Sequence, residues 1–172
     1  MYSIGSNAEL SFEEEFVRRA KCSVFTFDPT VDVKPEELPA GVRFFKVGIA
    51  GINGTQSVGP VRTLRGLMEL VGHGHHQRID VLKMDVEGAE FEALDAILRE
   101  GMPDIGQILV EIHAPLNHRQ QFMAQMQRLY EAGFWIFHKD PNLIGGAPYC
   151  ELALVNVLPA SVNLHGIPVG LV

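Results

Sequence analysis

Strand-like and helix-like segments alternate along most of the chain. Short apolar runs predict strands, and the run at residues 79–84 has the character of a central strand that is buried on both faces. Between the runs, apolar residues recur at helical spacing. Strands are predicted at residues 2–4, 22–27, 42–49, 79–84, 107–113, 134–138 and 149–157. This alternation predicts an α/β fold with a mostly parallel sheet and helices on both of its faces.

The first predicted helix follows a turn after the first strand. Phe12, Phe16 and Ala20 recur at helical spacing and predict one apolar side. Ser11 and Glu14 have the spacing of a capping box, which predicts how this helix begins.

The C-terminal third departs from the strand–helix alternation. The last two predicted strands are joined by a Gly/Pro-containing segment without helical spacing, which predicts an antiparallel hairpin at one side of the sheet. A second Gly-rich segment, at residues 51–60, is predicted to be a loop.

Length and composition bound the function classes. The 172 residues, 47% hydrophobic and 20% charged, predict one globular domain over residues 1–172. The chain starts almost directly on a predicted strand, which suggests that an N-terminal segment is missing. The net charge of −7 predicts no nucleic-acid partner, because a phosphate backbone would be repelled. The chain has no apolar run of the roughly 20 residues that span a bilayer, so no membrane segment is predicted. The cellular compartment is left open.

Ligands of open α/β sheets bind at the carboxyl ends of the strands, near the point where the strand order reverses. Several polar residues and glycines follow predicted strands and are therefore expected at that edge. They are Gly5, Ser6, Asn7, Asp28, Pro29, Asp85, Glu87, Glu111 and His113.

The turn after the first strand has the shape of a nucleotide-type loop but lacks diphosphate glycines. Only Gly5 of the pattern G-x-G-x-x-G is present, and Asn7 and Leu10 occupy the other two glycine positions. A cofactor without phosphates fits this turn better, although a simple tight turn is an equal alternative. Asp28 has the position of a carboxylate that accepts ribose hydroxyls, or of a turn aspartate before Pro29.

Three carboxylates cluster where the strand at 79–84 leads into a helix. Asp85 is interpreted as functional, whereas Glu90 is interpreted mainly as structural. Glu87 is intermediate, because acidic residues near a helix N-terminus are stabilised by about 0.3 to 1 kcal/mol each. Lys83, within the strand, is interpreted as a partnered structural lysine.

Residues 82–90, LKMDVEGAE, resemble the K-[IM]-D-V-E-G-A-E hallmark of FkbM-type methyltransferases, in the branch with the animal methyltransferase-like proteins. Residues 2–7, 26–29 and 108–113 add weaker matches in the same order. The resemblance implies a class I methyltransferase fold and S-adenosylmethionine as methyl donor. It also implies O-methylation of a hydroxyl on a small-molecule or carbohydrate-like acceptor.

The resemblance also implies roles for individual residues. Gly5 would let the amino-acid part of the donor lie against the turn, Asp28 would hold the ribose, and Asp85 would close the site. Ser6, Asn7 and Pro29 complete the implied cofactor site. The chain departs from the family pattern at two positions: Ser3 stands where an acidic residue is usual, and Glu9 where another glycine is common.

An alcohol acceptor is a poor nucleophile and benefits from a general base or a metal ion. The candidate catalytic residues are Asp85, Glu87, Glu111 and His113, and His113 is the favoured base. A divalent ion held by Asp85, Glu87 and Glu111 is an alternative by ligand type, but no metal site is predicted.

Two other function classes stay open at this point. One is a non-catalytic binding or scaffold domain that keeps the fold without turnover, suggested by Ser3 and Glu9. The other is a nicotinamide-dependent oxidoreductase, which the missing diphosphate glycines disfavour.

Overall fold

The computed structural model describes residues 1–113, 119–142 and 149–158. The strands are β1 Tyr2–Ile4, β2 Val24–Phe27, β3 Val42–Phe45, β4 Gly48–Ile49, β5 Gly54–Gln56, β6 Gly59–Arg62, β7 Ile79–Met84, β8 Ile105–His113, β9 Phe134–Asn142 and β10 Tyr149–Asn156. The α-helices are α1 Ser11–Ala20, α2 Leu64–Leu70, α3 Glu90–Glu100 and α4 Arg119–Glu131, and Pro35–Glu37 forms a short 3-10 helix. No helix among the described residues has the length and apolar character needed to cross a membrane.

The main sheet has seven strands in the order β3-β2-β1-β7-β8-β10-β9. The first five are parallel to one another, and β10 runs antiparallel to both β8 and β9. The predicted mostly parallel sheet with a C-terminal hairpin is therefore confirmed. The chain order turns back between β1 and β7, so the switch point lies where these two strands meet.

The two faces of the sheet bury unequal cores. Tyr2 and Ile4 face the larger core, which α2, α3 and α4 cover. The opposite face has a smaller apolar cluster that includes Val24 and Val81, and Val17 of α1 packs against it. Ser3 alternates with Tyr2 and Ile4 along β1, so it lies on the α1 side. Helices on both faces are confirmed, with α1 covering the second face.

The strand predicted at residues 42–49 divides in the structure. The backbone turns at Val47, whose N–H donates to the Phe45 carbonyl over 2.8 Å. After this turn β4 leaves the main sheet and pairs with β6, which in turn pairs with β5. The predicted Gly-rich loop thus contains part of a small three-stranded sheet. The apolar pattern continues through the turn, which is why it did not reveal the division.

Helix α1 begins and packs differently from the prediction. Leu10 is the residue before the helix and makes no side-chain cap, while the Ser11 hydroxyl donates to Glu9 over 2.8 Å. The predicted capping box is therefore wrong, because Ser11 is already inside the helix. Phe12 of the predicted apolar side is 40% exposed, whereas Glu13 is 1% exposed. The helix consequently turns a carboxylate towards the interior.

The ends of β2, β1 and β7 are joined at Gly5. Its N–H donates to the Phe27 carbonyl, and the Asp85 N–H donates to the Ile4 carbonyl, both over 2.9 Å. Gly5 has φ of +81°, and a Cβ atom there would lie 1.6 Å from the Asp85 carbonyl oxygen. Only glycine allows this close approach of the two strand ends.

We expect Gly5→Ala to lower the free energy of unfolding by roughly 2 to 5 kcal/mol, because positive-φ strain and steric overlap act together. Urea denaturation measures the change. The control Gly54→Ala has open space around the new methyl group and is expected to change stability by less than about 0.5 kcal/mol. Equal stability of the two variants would contradict the steric argument.

Candidate functional site

A cavity of about 630 Å³ lies at the carboxyl ends of β1, β2 and β7. Its size is within the usual range for small-molecule and cofactor sites, about 300 to 1,000 Å³. Most of the residues predicted from the sequence line it together: Gly5, Ser6, Asn7, Asp28, Pro29, Asp85 and Glu87. Glu111 and His113 are not among its lining residues.

Asp28 joins the end of β2 to the turn after β1. Its Oδ2 accepts hydrogen bonds from the backbone N–H groups of Ser6 (3.0 Å) and Asn7 (2.8 Å). Its Oδ1 accepts from the backbone N–H (2.9 Å) and the hydroxyl (2.6 Å) of Thr30. These four bonds use the lone pairs that a carboxylate offers. A ribose hydroxyl that bound Asp28 would therefore exchange with one of these donors.

The hydrogen bonds also determine the charge of Asp28. Burial by itself raises the pKa of this carboxyl, but the bonds from Thr30, Asn7 and Ser6 outweigh burial and lower the pKa below its ordinary value of 3.8. Asp28 is consequently an anion at neutral pH, although it is only 4% exposed.

Carboxylates dominate the charge of the cavity wall. Glu9, Glu13 and Glu87 line the cavity together with the two aspartates, and Lys83 is the one lysine that the described residues contribute to the lining. The Lys83 ammonium donates to the Gly5 carbonyl over 3.1 Å. This excess of negative charge favours a cationic ligand over a phosphate-bearing one.

Two buried polar atoms of the lining have no hydrogen-bond partner among the described residues. They are the hydroxyl oxygen of Ser6 and Oε2 of Glu13. Buried polar groups are nearly always hydrogen-bonded, so unpaired ones in a cavity wall are expected to bind a ligand or water. Glu13 was not among the residues predicted for the site, because the sequence indicated only an apolar side of this helix at Phe12, Phe16 and Ala20.

His113 ends β8 and lies between two glutamates. Its Nδ1 is 2.8 Å from Oε1 of Glu90, and its Nε2 is 3.3 Å from Oε2 of Glu87. Glu90 is fully buried, and the same Oε1 accepts the backbone N–H groups of Val86 and Gly88. Because Oε1 acts as an acceptor towards both of these groups, we assign His113 Nδ1 as the protonated nitrogen that donates to it. Glu90 was interpreted from the sequence as structural, and in the structure it orients this imidazole.

The same neighbours set the proton affinity of His113. Burial lowers its pKa, but the hydrogen bond with Glu90 and the negative charges of Glu90, Glu87 and Glu111 raise it above the ordinary value of 6.5. The side chain is 10% exposed, and the Tyr149 ring lies 4.8 Å from the imidazole, centre to centre. The imidazole is therefore held in place while staying able to exchange a proton.

Asp85, Glu111 and His113 form a group in which one donor atom of each lies within 4.8 Å of the others. Such oxygen and nitrogen donors suit a divalent cation by type. The alternative set considered from the sequence had Glu87 where this group has His113. A protonated His113 itself supplies positive charge to the two carboxylates, so the geometry does not require a metal ion.

Residues 1–156 match the family model described as a methyltransferase domain. This match covers nearly all of the described residues, including the cavity, Glu111 and His113. The chain belongs to this family of methyltransferase domains. Membership in this family sets the nicotinamide-dependent alternative aside.

Curated relatives of the methyltransferase domain include the probable methyltransferase-like protein 24 of Rattus norvegicus and that of Homo sapiens. Each is 29% identical over 117 residues, which cover 66% of this chain and 32% of the relative. The match therefore spans about a third of the length of these relatives.

Solved structures share the fold of the methyltransferase domain at low sequence identity. A fibrillarin pre-rRNA processing protein of Methanococcus jannaschii has a TM-score of 0.57 at 11% identity, over 90% of this chain and 64% of that one. TrmK of M. capricolum, solved with the cofactor product S-adenosylhomocysteine, has a TM-score of 0.52 at 11% identity, over 91% and 61%. These similarities confirm the predicted class I methyltransferase fold.

The sequence predicted a small or carbohydrate-like substrate and excluded a nucleic-acid partner. The exclusion of nucleic acid is wrong. A fold that serves a pre-rRNA processing protein does not exclude RNA. The net charge of −7 is a sum over the whole surface, whereas a nucleic acid meets only one face. Net charge alone therefore could not decide the partner.

We expect Asp28→Asn to destabilise the methyltransferase domain by about 1.5 to 3 kcal/mol at neutral pH, as for other hydrogen bonds to charged groups. Because the folded-state pKa is lowered, the contribution of Asp28 is present above pH 3.8 and is lost as the pH falls through the folded value. The unfolding free energies of variant and wild type should thus converge in acid.

The matched control is Asp32→Asn, which removes an exposed ion pair with Lys46 and is expected to cost less than about 1 kcal/mol. Urea denaturation at neutral and acidic pH measures both variants. A loss for Asp28→Asn that did not depend on pH would contradict the assignment.

Proposed function

We propose that this chain transfers a methyl group from S-adenosylmethionine to a hydroxyl oxygen, with His113 as the general base. The observation that carries the proposal is the partly buried His113–Glu90 pair at the end of β8, close to Asp85 and Glu87 of the cavity wall. A general base beside the donor cavity would take the proton of the acceptor hydroxyl, which helps a poor nucleophile such as an alcohol.

The cavity supports S-adenosylmethionine as its ligand. This donor carries a sulfonium and an ammonium but no phosphate, which suits a wall with several carboxylates and no diphosphate glycines. In this proposal Gly5, Ser6 and Asn7 lie against the amino-acid part of the donor. Asp28 and Pro29, at the end of β2, lie along the ribose.

When bound, S-adenosylmethionine supplies the methyl carbon: its bond to sulfur breaks, with the electron pair going to sulfur, as the acceptor oxygen bonds to carbon. The chain's own contribution is to align the acceptor and to remove its proton, since positioning supplies much of the acceleration in such displacements. Asp85 lines the cavity and also belongs to the group with Glu111 and His113. In this proposal the acceptor therefore enters on the Asp85 side of the cavity.

His113 Nε2 takes the proton of the acceptor hydroxyl in this proposal. Nδ1 keeps its proton and donates it in a hydrogen bond to Glu90, and the positive charge that develops on the imidazole is stabilised by Glu90 and Glu111. Glu87 is 3.3 Å from Nε2, and its side chain is 84% exposed. The acceptor can therefore replace Glu87 at Nε2 at little cost.

Assignment to the FkbM-type branch is the finer part of the proposal. It is supported by the residues at 82–90, of which Asp85, Glu87 and Glu90 all lie at the site described here. The acceptor is proposed only as a hydroxyl.

Replacing His113 by Gln is expected to lower kcat by about 100- to 10,000-fold, because the base is lost. Acceptors are first found by transfer of a labelled methyl group to a panel that includes carbohydrates and ribose-containing oligonucleotides. The rate is then measured at saturating donor, and donor binding is measured by calorimetry.

His138→Gln is the matched control, since His138 lies exposed on β9 and should not alter the rate. Donor affinity of His113→Gln should stay near that of wild type. Donor binding without transfer to any acceptor by the wild-type chain would favour the non-catalytic scaffold alternative.

Activity of the wild-type chain should rise with pH through a midpoint above 6.5, because His113 acts as a base only when it is neutral and its pKa is raised. In Glu90→Gln the carboxylate that raises this pKa is gone, so the midpoint is expected to move to lower pH. The maximal rate should fall as well, since the imidazole is oriented less firmly.

The readout is the pH profile of kcat/KM. Glu92→Gln, on the same helix but exposed, should leave the midpoint in place. An unchanged midpoint in Glu90→Gln would rule out His113 as the titrating base.

A further inference from the structure

Glu13 is a buried carboxylate with a hydrogen bond to one of its two oxygens. It is 1% exposed, and its Oε1 accepts a hydrogen bond from the Ser3 hydroxyl. Its Oε2 is buried and has no hydrogen-bond partner among the described residues. An unpaired buried oxygen of this kind costs about 1 to 3 kcal/mol, more when the group is charged.

The position of Glu13 connects this oxygen to the cavity. Ser3, to which Glu13 is bonded, lies opposite Thr26 of β2 and Lys83 of β7 in the sheet, two residues before Gly5. Glu13 itself is one of the residues that line the cavity. Its carboxylate therefore lies beneath the turn, on the α1 side of the strand ends.

Lys83, a lysine of the cavity wall, forms no salt bridge with Glu13. Lys83 donates to the Gly5 carbonyl and lies over the ring of Phe12, 5.9 Å from its centre, and it is not a hydrogen-bond partner of Glu13 Oε2. The cavity therefore offers the unpaired carboxylate oxygen of Glu13 to a positively charged group that also donates hydrogen bonds. A sulfonium has no N–H or O–H bond, whereas an ammonium has three N–H donors.

We propose that Glu13 binds the α-ammonium group of the methyl donor, with Ser3 as the residue that holds the carboxylate in position. This inference rests on the proposed function, because it takes S-adenosylmethionine as the ligand of the cavity. It assigns to α1 a residue that selects ligands with a free amino group. It also places the amino-acid end of the donor at the β1 turn.

The experiment is a thermodynamic cycle, analogous to a double-mutant cycle, that combines one substitution in the protein with one change in the ligand. The protein change is Glu13→Gln, which keeps the size of the side chain and an acceptor for Ser3 but removes the charge. The ligand change is from S-adenosylhomocysteine to its deaminated analogue, in which hydrogen replaces the ammonium. Calorimetry measures the four dissociation constants on the full chain.

Wild type is expected to bind S-adenosylhomocysteine at least about tenfold more tightly than the deaminated analogue, as for a hydrogen-bonded charge pair. In Glu13→Gln this preference should disappear, through weaker binding of the amino-bearing ligand alone. Glu14→Gln, one residue further along α1 and exposed, should keep the wild-type preference.

Three results would overturn the inference. The first is that wild type binds both ligands equally well. This result needs no variant, so it would count even if Glu13→Gln failed to fold. Equal weakening of both ligands by Glu13→Gln would assign Glu13 a structural role only. Absence of any S-adenosylhomocysteine binding to wild type would remove the proposed function along with this inference, whereas the first two results would leave that function intact.

Discussion

The close approach of Gly5 to the carbonyl of Asp85 is the constraint on which the site depends. It brings the ends of β1 and β7 together with room for no Cβ atom, and the Gly5 N–H ties the same turn to Phe27 at the end of β2. Three strand ends from distant parts of the chain therefore share one edge. The turn that follows β1 lines the cavity, and the hydrogen bonds from Ser6 and Asn7 to Asp28 hold it there.

Charge gives this cavity its chemical character. Asp28 is an anion because four hydrogen bonds stabilise it, and two of these bonds hold the turn after β1. Glu13 is buried without such support on one oxygen, and Lys83 is directed to a backbone carbonyl. Two carboxylates of the same wall thus differ in their hydrogen bonding: Asp28 is fully bonded within the protein, whereas Glu13 keeps one oxygen unpaired among the described residues, which is why we propose it as the ligand-binding one. Beyond the wall, Glu90 fixes the orientation of the His113 imidazole, the group that we propose as the general base.

Much of the fold was predictable because its signals are local. The run at 79–84 is a central strand with the bounds that its apolar residues indicated, and the lack of a helix between the last two strands predicted their hairpin. The expected edge for a ligand followed from strand order alone, and Asp28 and Asp85 do line one cavity. The division of residues 42–49 was not predictable, because an apolar pattern does not show where a strand changes its partner.

The sequence by itself determined which positions are apolar, where the glycine of the first turn stands and which carboxylates follow the strands. Only the tertiary structure decided what those carboxylates do. Helical spacing favoured Phe12 as a buried residue of α1, yet Glu13 is buried there, since the Ser3 hydroxyl and the cavity lie opposite it. The physical reason is that burial of a charge depends on the groups facing it, and those groups come from strands that are remote in sequence.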